Sequence, residues 1–199
     1  MSINKEDLLK IVEELSLSDE IKLVDIPKLD LYMEQLLTFM EDNLKGLARN
    51  SDDKIITKTM VNNYAKDGII APPVNKKYNR RHVILLILIY YLKQVLSLND
   101  IKTLFAPILN DISRDDDDIL SLEDIYSTFL KIRKIEFEDF GQAFAEKYKL
   151  IHEQTSKLTN EDQDLAEIFL LIIILAAQAG AQKRLAEKLI DKYFQNNKS

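Results

Sequence analysis

The stretch Ile55–Leu104, IITKTMVNNYAKDGIIAPPVNKKYNRRHVILLILIYYLKQVLSLNDIKTL, decides how the chain is organised. Thr57 suits the cap of a short helix, because its hydroxyl can accept from the exposed amides of the first turn. Met60, Val61 and Tyr64 recur at three- and four-residue spacing, which leaves Lys58, Asn62, Asn63 and Lys66 on other faces. Gly68 supplies the left-handed residue that closes such a helix, and Ile69 and Ile70 turn the exit onto the core. Ala71-Pro72-Pro73 cannot be helical, so the chain extends there. After a basic tip comes VILLILIYYL, a run too apolar for one-sided burial, which belongs between neighbours in the core or at a dimer contact. At ten residues it falls well short of the ~20 that a membrane span needs.

Charge in this stretch runs against the rest of the chain. From Lys54 to Lys93 the cations are Lys54, Lys58, Lys66, Lys76, Lys77, Arg80, Arg81 and Lys93, and the anion is Asp67. That is a local charge of +7 in a chain of net charge −6, so the remainder carries −13. Positive charge gathered on an acidic protein suggests one face for phosphate, with the rest kept away from it. The plainer reading is a solvated surface with no ligand. The order helix, Gly turn, Pro-Pro step and basic tip favours the phosphate reading.

The run TKTMVNNYAKDGIIAPP at 57–73, followed by KKYNRRHV at 76–83, resembles the helix-turn-helix and wing of MerR-type winged-helix regulators. Together with DLYMEQLLTFM at 30–40, these motifs more closely resemble a family of uncharacterised bacterial proteins, classed as a domain of unknown function and assigned a MerR-like helix-turn-helix. The likeness covers about Asp25 to Leu109, with several separated motifs in the expected order. It implies binding to double-stranded DNA and transcriptional regulation. It places Thr57, Lys58, Thr59, Asn62 and Asn63, with Lys66 beyond them, on a reading helix. Tyr64 stands where the MerR pattern has an aromatic supporting phosphate contact, Lys76 where those wings carry an Arg, and Tyr78 at the Tyr that closes the wing. Lys76, Lys77, Arg80 and Arg81 are then expected to hold the DNA backbone. Two departures bear on specificity: Asn62 replaces an Arg common in MerR proteins, and Asn63 replaces the first aromatic of a Tyr-Tyr pair. An Asn can still pair with an adenine edge in the major groove.

Outward from this core, the fold class expected is all-α, a MerR-like winged helix-turn-helix followed by a C-terminal helical bundle. Four Gly and four Pro in 199 residues suit a mainly helical chain. Residues 1–24 read as a helical extension, with IKLVDIP at 21–27 as a short extended segment. The helix-turn-helix domain takes 25–110, its supporting helix running from Leu29 to Leu47. Ser97 caps the helix Leu98–Leu109, with Asp100 completing a looser capping box. SRDDDD at 113–118 lies in an acidic linker, 111–118, set as the domain boundary; the register of an EF-hand loop is absent from it. Residues 119–199 form the C-terminal region, in which Leu120–Phe137 and Glu138–Lys157 read as helical, with Phe137, Phe140, Phe144 and Tyr148 as a packing stripe. Thr159 or Asn160 caps a last helix. Its run IFLLIIILAAQA at 168–179 is apolar all round, too short to span a bilayer, and therefore either the centre of a bundle or part of a subunit interface.

With no Cys, disulfides, thiol catalysis and thiolate metal sites are excluded, which fits a reducing cytoplasm. Acidic residues throughout 1–20 leave no apolar core for a signal peptide. His82 and His152 lie in different segments, and no P-loop, GxGxxG, G-x-S-x-G or H-E-x-x-H motif occurs. No enzyme, cofactor or metal site is expected. His82, at the head of the apolar helix, is expected to contact phosphate or to pack. The reading is a cytoplasmic DNA-binding regulator, a homodimer without membrane attachment, whose C-terminal helices supply dimerisation, sensing of a small-molecule or protein effector, or both. The alternative is a helical protein-interaction module of winged-helix shape that no longer binds DNA.

Overall fold

The computed structural model describes residues 5–15, 20–50, 52–110 and 121–195, so the linker 111–118 and the connection 16–19 lie outside the described residues. The fold is mainly helical. The described helices are α1 (Lys5–Glu14), α2 (Met33–Leu44), α3 (Lys58–Lys66), α4 (Arg80–Leu92), α5 (Leu98–Asn110), α6 (Leu122–Thr155) and α7 (Asn160–Tyr193). Two short strands, β1 (Leu31–Tyr32) and β2 (Lys77–Tyr78), pair antiparallel, with Leu31 opposite Tyr78 and Tyr32 opposite Lys77.

The chain divides into two compact units, and the division falls within α6 and α7. One unit takes Glu20–Leu130 and the end of the chain from Ala186. Its centre is α4, whose consecutive residues His82 to Ile87 are all buried along with Ile89 and Tyr90. An unbroken apolar run leaves no polar face, so the helix is surrounded by Leu36, Met40 and Leu44 of α2, Val61 and Tyr64 of α3, Ile101 and Phe105 of α5, and Tyr126 of α6. Each such aliphatic side chain contributes about 1.5–3 kcal/mol on full burial.

Local sequence signals set several of these elements as expected. The Thr57 side chain accepts from the Met60 amide at 3.2 Å, Gly68 takes a φ of 69°, and the Ile69 amide returns to the Tyr64 carbonyl at 2.8 Å. At the head of α5 the Asp100 amide donates to the Ser97 hydroxyl at 3.2 Å, while the Ser97 amide donates to the Asp100 carboxylate at 3.3 Å. Other boundaries differ. IKLVDIP forms a 3-10 turn at Leu23–Asp25 instead of an extended segment. The supporting helix begins at Met33, because Leu31 and Tyr32 are drawn into the strand pair. One continuous α6 covers what the sequence divides at Phe137.

The other unit joins the described part of the N-terminus to Lys131–Leu185. Leu8 of α1, Phe144, Tyr148 and Ile151 of α6 and Leu171 of α7 make its small core. Between α6 and α7 the buried carboxylate of Glu167 is held by His152 at 2.8 Å, Thr155 at 3.0 Å and Gln163 at 2.9 Å. Burial pushes the Glu167 pKa up, but these hydrogen bonds outweigh it and keep the carboxyl below its ordinary range.

The apolar run of α7 is covered on few sides. Only 11% of its most apolar window is buried, so among the described residues it is not the centre of a bundle. The helix Asp162–Tyr193 is also long and apolar enough to cross a membrane by length and composition, which the uninterrupted run at 168–179 alone did not indicate.

Candidate nucleic-acid interface

Helix α3 buries Val61 and Tyr64 and turns Lys58, Thr59, Asn62, Asn63 and Lys66 to solvent. At 3.6 residues per turn these five positions share an arc of about 140°. The result is one continuous polar face of amides, a hydroxyl and two ammonium groups. Among the described residues none of the five side chains is engaged in a hydrogen bond or ion pair.

The mount beneath this face is tied from several sides. Glu41 of α2 accepts from Lys45 at 2.9 Å and from the Ile55 amide at 3.4 Å, just ahead of the Thr57 cap. The hydrogen bond and charge of Lys45 hold the Glu41 carboxyl below its ordinary pKa. Lys93 of α4 donates to the Ile55 carbonyl at 3.0 Å and lies over the Tyr90 ring at 5.1 Å. Its pKa is lowered by burial. Lys93 therefore counts in the basic stretch by sequence but serves as an internal brace. Lys102 of α5, which no sequence signal singled out, brings its ammonium to about 3.9 Å from where a Cβ at Gly68 would stand, beside the C-terminal end of α3.

The basic tip is a hairpin. Val74 and Lys77 exchange backbone bonds of 3.2 and 2.9 Å, and the two residues between them, Asn75 and Lys76, take φ of 52° and 64°. Two consecutive positive φ values define the tight turn whose twist matches its strands, and Asn tolerates that region well. Lys76 stands exposed at the apex. Lys77 leans over the Tyr32 ring at 5.1 Å, half-buried.

Three residues expected at a phosphate surface face inward instead. Tyr64 and Tyr78 are buried core residues whose hydroxyl pKa values are pushed up by burial. Arg80 donates from Nη2 to the Leu23 carbonyl, and its Nε is buried without a partner. Arg81 remains partly exposed.

His82 is buried and packs at the head of α4. Its Nδ1 lies 3.2 Å from the Asn79 amide and 2.6 Å from the Asn79 side-chain oxygen, and its Nε2 lies 3.1 Å from the Ala71 carbonyl. The ring also meets Tyr78 edge-on at 5.5 Å. One imidazole thus fastens the start of the Pro-Pro step to the head of α4. The surviving candidate surface is the α3 face, Lys76 and Arg81, with Lys77 at its margin.

A family model, Domain of unknown function (DUF1836), matches residues 21–129, more than half of the chain. No curated protein and no solved structure matches it.

Proposed function

Because the chain belongs to the DUF1836 family, we propose that its matched region is a MerR-like winged helix-turn-helix that binds double-stranded DNA and serves transcriptional regulation. The observation that carries this reading is the outward face of α3. Lys58, Thr59, Asn62, Asn63 and Lys66 are presented together while Val61 and Tyr64 anchor the helix from behind. A helix of this size fits the major groove, where Asn62 and Asn63 can pair with base edges and the lysines with phosphates. Lys76 at the hairpin apex and Arg81 at the head of α4 supply backbone contacts, which give salt-sensitive affinity but no direct sequence reading.

The inward commitment of Arg80, Tyr64 and Tyr78 narrows the expected phosphate surface. It lends weight to a second reading, a helical module of winged-helix shape that binds a protein instead. The double variant Lys58→Ala, Asn62→Ala separates the two. Sequence-selective DNA binding falls by about 10-fold or more if α3 reads bases, while binding to a protein partner captured by the wild type survives if it does not.

A further inference from the structure

We propose that α7 is the self-association surface of the protein, pairing antiparallel with α7 of a second copy about a two-fold axis near residue 174. Leu165, Phe169 and Ile172 are 72%, 64% and 60% exposed. Spaced four and three residues apart, they lie on one stripe that continues through Ala176 and Ala179 to Lys183, all exposed. The stripe changes character along its length. Its first half is bulky, and its second half is small at Ala176 and Ala179 before it ends on Lys183.

That asymmetry selects both the occupant and its direction. In an antiparallel pair centred near residue 174, Phe169 meets Ala179 of the second copy, Ile172 meets Ala176, and Leu165 meets the stem of Lys183. Large side chains then seat against small ones on both sides of the axis, as an isologous contact requires. A parallel pair would stack Phe169 on Phe169 and leave a gap along the alanines. Charge agrees with shape: Asp162 and Asp164 stand at one end of the stripe and Lys183, Arg184 and Lys188 at the other. Antiparallel pairing brings opposite signs together, and parallel pairing brings like signs together.

A lipid bilayer is the competing cover for such a helix, and the same unit argues against it. Leu171 of α7 packs with Phe144, Tyr148 and Ile151 of α6, and Glu167 is tied to His152 and Thr155 of α6. Inserting α7 would strip that core, or carry α6 with it. Over Glu136–Lys149, α6 includes Glu136, Glu138, Asp139, Glu146, Lys147 and Lys149. Charges at that density do not enter hydrocarbon. The inference stands apart from DNA binding, since it uses no residue of α3 or of the hairpin.

The test is sedimentation equilibrium of the full chain, wild type against Phe169→Glu and Ile172→Glu, with helix content followed by circular dichroism. The expected result is a wild-type dimer, and variants of unchanged helicity that self-associate at least about 30-fold more weakly, as the loss of an interface hot spot would give. Arg184→Glu should weaken the dimer, and Asp164→Arg added to it should restore association; this pair decides the matter should the apolar variants misfold. A monomeric wild type overturns the proposal, whether or not it floats with phosphatidylglycerol vesicles. So does a dimer indifferent to Phe169→Glu.

Discussion

The hydroxyl of Tyr126 donates to the carbonyl of Ile21 at 2.7 Å, fully buried, and so fastens the start of α6 to the beginning of the family-matched region. These two residues stand near opposite ends of that match, 105 positions apart. The bond explains structurally why the matched stretch continues beyond the acidic linker: the first turns of α6 complete the core around α4. Tyr126→Phe leaves the Ile21 carbonyl buried and unsatisfied, and is expected to cost about 1–2 kcal/mol in urea unfolding. An unchanged midpoint would show the bond to be dispensable.

Arg80 and Lys76, neighbours in the basic tip, should respond to truncation in opposite ways. Arg80→Ala removes a charge-assisted bond to the Leu23 carbonyl, partly offset by relief of its unpartnered Nε, for a net loss of about 1 kcal/mol of stability. Lys76→Ala is expected to leave stability within about 0.5 kcal/mol. It should instead lower the slope of log affinity against log salt by about one. Thermal melts and DNA titrations across a salt series, run on both variants, check the contrast. A stability loss confined to Lys76→Ala would reverse the assignment.

His82 carries a pH dependence of definite sign. Burial lowers its pKa from the ordinary 6.5, against the opposing pull of the Ala71 and Pro72 carbonyls and the charge of Asp30. The unfolded chain takes up a proton near 6.5 and the folded one resists it. The stability from the neutral ring is therefore complete above 6.5 and is lost as pH falls through 6.5 toward the folded value. An NMR titration of the His82 ring should give a midpoint below 6.5. A midpoint above it would mean that the Asn79 side-chain oxygen and the Ala71 carbonyl hold the ring as a cation and outweigh burial.

Glu167 works in the acid range. Its carboxyl is held below the ordinary 4.5 despite burial, so its contribution is present above 4.5 and lost as pH falls through the folded value. Glu167→Ala removes the acceptor shared by Gln163 and His152, while the Thr155 hydroxyl keeps the Ile151 carbonyl, and should cost about 1–2 kcal/mol. Hydrogen exchange at the amides around the α6–α7 turn reads this directly. Protection equal to wild type would make the network ornamental to stability.

What the sequence revealed, and what it withheld, follow from the range of the interactions involved. Thr57, Gly68 and the Ser97–Asp100 pair act within a few residues, and the unbroken apolar run of α4 leaves burial as its one outcome; all were readable in one dimension. The inward turn of Arg80 depends on a carbonyl 57 residues earlier, and the strand pair joins Leu31 to Tyr78, contacts that no local period records. Tyr64 and Tyr78 read as surface groups by resemblance to a pattern, while the spacing of Tyr64 with Met60 and Val61 already matched a buried face. The apolar run at 168–179 announced a need for cover but not its source, because a period describes one helix and not its neighbour.

The measurement that tests the central claim most directly is selection of genomic DNA fragments by the purified full chain across a salt series. Enrichment of a shared, two-fold-symmetric sequence, with affinity falling steeply in salt and lost on Lys58→Ala, Asn62→Ala, is the predicted result. Recovery without a common sequence, insensitive to salt and to those substitutions, would contradict it and leave the α3 face as a surface for a protein.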